Sequence, residues 1–517
     1  MLKKPSAEQT ALEMVALEEL VPKDHLLRQI DAVIDFSFIH DRVASLYCAD
    51  NGRPALDPEV MFKALFIGYL FGIRSERQLV REIEVNVAYR WFLRLKLSDP
   101  VFDASTLSQN RRRRYRDSSV AQDIFDGIVE QAIAHGLVDG TVLYTDSTHL
   151  KANANKNRHD QEVIAKSRSD YWEALDVAVE EDRAAHGKKP LRSKPRQAAE
   201  KQTRVSRTDP DSGYMVREGK PKGFFYLDHR TVDGRLGIIT DTFATPASVH
   251  DSIPYLDRLD RQRRRFGLDV AAVGLDAGYA TAGIARGLED RDIQGVTGYR
   301  RPTPPRPGMM AKKEFVYEPQ SDAYRCPEGQ MLAYATTDRN GYRHYKSDPA
   351  QCRTCPLLAS CTANARAERT ITRHVWQDAR DRTDAHRLTD WGKRIYKRRK
   401  ETVERSFADA KQLHGPPVCP VQGPHRRHHP VPACRRRPEH QENRHGTDKG
   451  ADPASRISKS SRSLINLAPK NATKTKPRQN LTGFVSSLVA GGTGPFSFQA
   501  TLRGFIVRMW ASHSCCR

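Results

Sequence analysis

The chain has 517 residues, 38% of them hydrophobic, and a formal charge of +22 from 85 basic and 63 acidic side chains. The length exceeds one ordinary domain and suggests two or three. The charge points to a polyanionic partner, nucleic acid first, and no apolar run of about 18 residues is available to span a membrane. The start, "MLKKPSAEQTALEMVALEEL", has two lysines but no apolar core of a signal peptide, so a cytoplasmic location is expected. In that compartment nine cysteines read as metal ligands or free thiols rather than a disulfide framework.

Residues 1–135 read as a helical domain. In "LDPEVMFKALFIGYLFG" Asp57 suits an N-cap, Pro58 the first helical position, and Gly72 the end. "RSERQLVREIEVNVAYRWFLRL" follows, with Ser75 and Gln78 spaced as a capping box. The short turn Gly72-Ile73-Arg74 between the two allows a helix-turn-helix or a plain helical bundle. "DASTLSQNRRRRYRDSS" starts another helix. Its run Arg111, Arg112, Arg113 and Arg114 is a candidate phosphate contact, or else a solvated face.

From about 140 the period shortens. "TVLYTDS", "GFFYLDHRTVD", "GIITDTFAT" and "DVAAVGLDAGYAT" read as strands, and the polar stretch 160–205 as a helix followed by a basic loop. The result is a mixed α/β domain over 136–415. A proline-rich stretch at 299–325 leads into an insertion, 300–370, that carries Cys326, Cys352, Cys355 and Cys361. Helix returns at about 380–414. Beyond it, 416–517 has no apolar period. That segment reads as a disordered basic tail or as the product of a shifted reading frame.

Three acidic positions suggest chemistry. Asp146 is read as ending the first strand, Asp276 as ending "DVAAVGLDAGYAT", and Glu404 as lying on the helix "KETVERSFADAK" with Lys411 about 10 Å further along the same face. Three converging carboxylates suit Mg²⁺ or Mn²⁺, hard ions that take oxygen ligands and keep room for substrate phosphate. The alternative is that each aspartate is a turn residue or helix cap. The spacing C-x₂₅-C-x₂-C-x₅-C fits either a structural Zn²⁺ or four reduced thiols. His250-Asp251 reads as a helix-start pair, with Asp251 or Ser248 capping.

The order of these motifs resembles the DDE transposases of bacterial insertion sequences, and more narrowly the group with an N-terminal helical domain and a cysteine-bearing insertion before the catalytic glutamate. "GRPALDPEVMFKALFIGYLFGIRSERQLVREIEVNVAYRWFL" and "FDASTLSQNRRR" resemble its first domain. "YTDSTHLKANANKNR" and "GLDAGYAT" resemble its two aspartate motifs, and "VERSFADAK" has its Glu-x₆-Lys spacing. The resemblance covers about 5–415. It implies an RNase H-like catalytic domain, with Asp146, Asp276 and Glu404 as catalytic metal ligands and Glu401 as the alternative third. It implies a basic loop at Lys151 and a lysine, Lys411, both facing double-stranded DNA, and a homodimer acting near the nucleoid. The activity implied is cleavage at terminal inverted repeats followed by strand transfer. A non-catalytic DNA-binding protein and an inactive copy are the alternatives. The tyrosine and arginine often found upstream of this glutamate have no clean counterpart: Tyr396, Arg398 and Arg399 are near, but the residue four before Glu404 is Lys400.

Overall fold

The computed structural model of the chain describes residues 13–48, 52, 55–73, 75–115, 118–165, 169–192, 200–216, 219, 221–300 and 306–413. The expectations for Arg74 and for 416–517 lie outside them.

The N-terminal region is helical, as its composition implies. Its helices are α1 (Leu17–Leu20), α2 (Leu26–Asp31), α3 (Phe38–Val43), α4 (Pro58–Leu70), α5 (Glu76–Val85), α6 (Val87–Phe92), α7 (Ala104–Gln109) and α8 (Val120–Ala134). Asp57 accepts from Glu59 N at 2.7 Å and Ser75 from Gln78 N at 3.4 Å, so both expected caps form. Phe36, Phe66 and Phe92 meet at centroid distances of 6.0 Å in the middle of this bundle.

The next region carries β1 (Val142–Lys151), β2 (His159–Ala165), α9 (Ser169–Ala185), β3 (Glu200–Ser206), β4 (Gly213–Met215), β5 (Gly223–Asp233), β6 (Ile239–Pro246), α10 (Tyr255–Phe266), β7 (Ala272–Leu275), α11 (Ala282–Glu289) and β8 (Gln294–Thr297). β4 and β6 pair with one edge of β5, β1 with the other, and β7 then β8 follow. The β5 pairings are antiparallel, while β1–β7 and β7–β8 are parallel. Side chains alternate along β1. Leu143 joins the core under α10 and α11, and Tyr144 joins the core shared with the helical region and with Ile395, Val403 and Phe407.

β1 departs from its expected end. The apolar run stops at Asp146, but β5 pairs with β1 as far as Lys151 and keeps Ser147–Lys151 extended. On the other edge β7 pairs only through Thr145. The strand therefore ends on one side and continues on the other. Likewise 160–205 is not simply helix and loop, because β2 and β3 pair as a two-stranded ribbon on either side of α9.

A second sheet follows, with β9 (Val316–Glu318), β10 (Ala323–Arg325), β11 (Met331–Thr337), β12 (Tyr342–Lys346) and β13 (Thr370–His374) all antiparallel, and the short helices α12 (Pro349–Cys352) and α13 (Leu358–Cys361). α9 docks on it. Asp182 accepts from Arg343 Nε at 2.7 Å, Arg183 donates to Thr337 O at 2.9 Å, and His186 stacks on Tyr334 while its Nε2 lies 2.7 Å from Asp322. Helices α14 (Gln377–Leu388), α15 (Asp390–Arg398) and α16 (Val403–Leu413) return the chain to the first sheet, in the stretch expected to be helical.

α10 ties the helical region to the sheet. Arg258 bonds Asp241 on β6, Arg261 bonds the buried Asp126 on α8, and Arg265 bonds Glu130. No helix among the described residues is long and apolar enough to cross a membrane.

Candidate active site at the β1–β7 edge

Asp146 and Asp276 come together because the two strands bearing them are parallel neighbours. Thr145 is in register with Leu275, so each aspartate is the next residue along its strand. Gly274 lets the strands approach: a Cβ there would lie 2.7 Å from the Tyr144 ring. Asp276 caps the turn Ala277–Tyr279, its Oδ1 accepting from Gly278 N at 2.7 Å. It is thus a cap, and the cap occupies only one of its oxygens.

Glu404 arrives on α16, which lies over the face of the sheet that carries Asp146. Residues directly opposite on antiparallel strands share a face, so this face also holds Thr148, Asp228 and Arg230. Arg230, 3% exposed, bonds Asp228 at 3.0 Å and Ser406 O at 3.1 Å, and its guanidinium packs 4.6 Å from the Phe407 ring. These bonds hold α16 on β5. Lys411 Nζ donates to Thr148 Oγ1 at 2.7 Å, so the Glu404-to-Lys411 spacing runs along β1.

Asp146 accepts from Ser147 N at 2.7 Å and from Arg399 Nη2 at 2.8 Å. The Arg399 guanidinium, 3% exposed, also lies 3.7 Å from Glu404 Oε1. Burial pushes the Asp146 carboxyl up to about 6; Arg399 opposes that, while the Asp276 and Glu404 charges add to it. Glu401, the alternative ligand, sits exposed in the turn between α15 and α16.

Arg399 was obscured in the sequence by a spacing rule. Glu404 N bonds Arg399 O at 3.1 Å, five residues back, so the turn holds one more residue than an α-helix would. A search four residues before Glu404 finds Lys400 instead. Tyr396 also belongs to the site's frame: a Cβ on Gly298 would meet its hydroxyl at 2.7 Å and Ala277 N at 2.8 Å. Asp251 is no cap, since Pro254 precedes α10 with no side-chain bond. It lies instead beside the Asp276 loop, its Oδ2 3.5 Å from where a Gly278 Cβ would stand. The buried Tyr279 hydroxyl is held well above its ordinary range by burial first, then by Asp251, Asp146 and Asp276.

Residues 15–113 match the family described as Transposase domain (DUF772), and residues 325–431 match the family described as Transposase DDE domain. These two matches, which together cover less than half of the chain, support a DDE transposase. The second match contains Glu404 and Lys411 and runs past Gly415. No curated protein matches this chain. Two solved structures resemble it distantly. One is the Mos1 transposase paired-end complex with left transposon end, at 11% identity over 48% of this chain and 62% of that one. The other is the Mos1 mariner paired end complex with Mn, at 12% identity over 50% and 65%. Both TM-scores are 0.15, too low to define a shared fold. The chain spans less than two thirds of either neighbour's length.

Among the described residues, no group of three or more His, Cys, Asp or Glu is disposed to hold a metal ion. At the carboxylates, Arg399 stands between Asp146 and Glu404. The cysteines Cys326, Cys352, Cys355 and Cys361 are free and half-buried. They are near one another: burial raises the Cys361 thiol, and Cys352, Cys326 and Cys355 raise it further against Arg369.

The arginine run divides. Arg111 pairs with Glu76 at 2.7 Å, and Arg114 packs 4.0 Å from the Tyr47 ring while bonding Asn110. Those two are bound within the helical region, which leaves Arg112 and Arg113 exposed. Lys151 is exposed at the end of β1 rather than in a loop.

Proposed function

We propose that this chain is the transposase of a bacterial insertion sequence, cutting DNA strands at the element's terminal inverted repeats and joining the freed 3′ ends to target DNA. The observation that carries this reading is the gathering of Asp146, Asp276 and Glu404 at one sheet edge. There, burial and mutual repulsion keep the Asp146 carboxyl near 6. On this reading Asp146, Asp276 and Glu404 would hold a divalent cation, Mg²⁺ or Mn²⁺, a hard ion that takes oxygen ligands. Such an ion supplies Lewis-acid stabilisation of the phosphoryl oxygens in an in-line displacement.

The chain's own groups do the rest. Lys411, over β1, and Lys151, at its end, offer charge to the DNA backbone, as do the exposed Arg112 and Arg113 on the helical region. Arg230 keeps Glu404 facing Asp146 by holding α16 down. The order of the first sheet supports an RNase H-like catalytic domain, with two carboxylates on parallel neighbours and the third on a late helix. The four cysteines would hold a structural Zn²⁺ in the second sheet. Cys326 lies in a turn closed by Gly329 N to Cys326 O at 2.9 Å, and Cys355 N bonds Cys352 O at 3.1 Å, which makes two thiol-bearing turns. The protein would act as a homodimer on paired ends.

The test is strand transfer. A duplex copied from the DNA flanking the gene, supplied with its 3′ end already cut, should be joined to a plasmid by the wild-type protein with Mg²⁺ or Mn²⁺. Cleavage of uncut ends without joining of pre-cut ones would assign the chain to nucleases. DNA binding with neither reaction would leave a DNA-binding protein.

A further inference from the structure

The helix that leads into the site carries a charge pattern that the site geometry does not use. α15 is "DWGKRIYKR", and Arg399 and Lys400 follow it in the turn that leads to α16. Its inner positions, Gly392, Ile395 and Arg399, are buried against the sheet, and Trp391 and Tyr396 are half-buried. Its outer positions, Lys393, Arg394, Lys397, Arg398 and Lys400, are all exposed and all basic. Lys393, Lys397 and Lys400 fall three and four apart, in one stripe, with Arg394 and Arg398 in the next.

Local structure accounts for only part of this charge. Cations in the last turn complement the helix dipole, which covers Lys397 and Arg398. It does not cover Lys393 and Arg394, which lie nearer the N-terminal end, where positive charge is disfavoured. Lys393 is 3.2 Å from Asp390, but both are exposed, so the pair contributes little. Arg398 reaches Arg235 O at 3.1 Å. Arg394 and Lys397 have no ion pair or side-chain hydrogen bond among the described residues. Next to Lys400 at the end of the stripe, Arg399 is turned inward and its guanidinium touches Asp146.

We propose that the outer face of α15 binds the phosphate backbone of the duplex being cut, on the stretch next to the scissile phosphate. This rests on the DNA-cutting reading above. The Lys393-to-Lys400 stripe spans about 10 Å, and one strand of B-DNA presents a phosphate every ~3.4 Å of axis, so the face reaches about three phosphates. Its continuity with the carboxylates selects the cut duplex over the target, because phosphates flanking the reacting one are the nearest DNA charges. The contacts are to backbone and carry no sequence preference of their own.

The test is the salt dependence of binding, with Arg394→Gln/Lys397→Gln compared with wild type. Two duplexes serve as probes, one copied from the DNA flanking the gene and an unrelated one of equal length. Arg264→Gln, an exposed arginine on α10 outside this face, is the control. Both altered side chains are exposed, so thermal unfolding should match wild type. Each lost phosphate contact removes about 0.9 from the slope of log K against log salt. The double variant should therefore lose about 1.8 on the flanking duplex. Its affinity deficit should shrink about tenfold between about 50 and about 200 mM salt, while the control slope stays at the wild-type value. An unchanged slope would overturn the proposal and leave an acidic protein as the occupant of this face. A loss confined to the unrelated duplex would overturn it too, assigning the face to target DNA. Wild type binding neither duplex would sink the DNA-cutting reading itself, and this proposal with it.

Discussion

Replacing Asp146 by asparagine should make the metal-free protein more stable while abolishing its chemistry. The Asp146 side chain is 16% exposed, and its carboxyl is held near 6 against an ordinary 3.8, burial being the main cause. A raised carboxyl pKa means the folded state binds the proton more tightly than the unfolded one. Stability from this group is therefore greatest below about 3.8, declines as pH rises toward 6, and stays low above it. The ionised form costs about 3 kcal/mol, at ~1.4 kcal/mol per pKa unit. Asparagine keeps the shape of the protonated acid and removes that cost. In urea titrations with chelator at about pH 8, Asp146→Asn should be more stable than wild type by about 3 kcal/mol. The gap should close as pH falls through 6 toward 4. A variant less stable than wild type at pH 8, or a gap that does not change with pH, would refute the assignment of Asp146 as a strained, buried carboxylate.

Three further outcomes follow from neighbouring residues. Arg399→Gln removes the main charge opposing the rise of Asp146, so the pH at which the Asp146→Asn gap closes should move above about 6. Measuring that gap on the Arg399→Gln background checks it, and no movement would separate the two groups. Arg230→Met leaves the 4%-exposed Asp228 without its cation and α16 without its bond to Ser406 O. It should cost about 3–5 kcal/mol in urea unfolding, and a loss under about 1 would contradict the tether. Gly274→Ala places a methyl 2.7 Å from the Tyr144 ring, itself 1% exposed, and should cost about 1–3 kcal/mol by thermal or urea unfolding.

The two aspartates of the candidate site could be picked out from the chain because they follow short apolar runs, and such runs mark strands. "VGLDAGY" carries its own geometry: the glycine before Asp276 is where Tyr144 crosses, and the aspartate is where the parallel pairing stops. What stayed hidden depends on partners distant in sequence. β1 runs on through Ser147–Lys151 only because β5 is long enough to pair with it, and no local signal in "STHLK" records that length. The β2–β3 ribbon closes across more than thirty-residue separation, with α9 between its strands, so its polar halves resemble loops. Arg399 was concealed by a turn with one extra residue, which moved it out of helical register with Glu404. Arg111 and Arg114 looked free in a run of four, but Glu76 and Tyr47 take them up from elsewhere in the helical region.

The measurement that bears most directly on the account is single-turnover cleavage of a duplex copied from the DNA flanking the gene. Wild type and Asp146→Asn are compared with Mg²⁺ or Mn²⁺, with binding of the same duplex followed in parallel. The account predicts that wild type cuts one strand to leave a 3′-hydroxyl, and that the variant binds the duplex with wild-type affinity without cutting it. Cleavage by Asp146→Asn at the wild-type rate would contradict the account, because the carboxylate at the β1–β7 edge would then have no part in the chemistry.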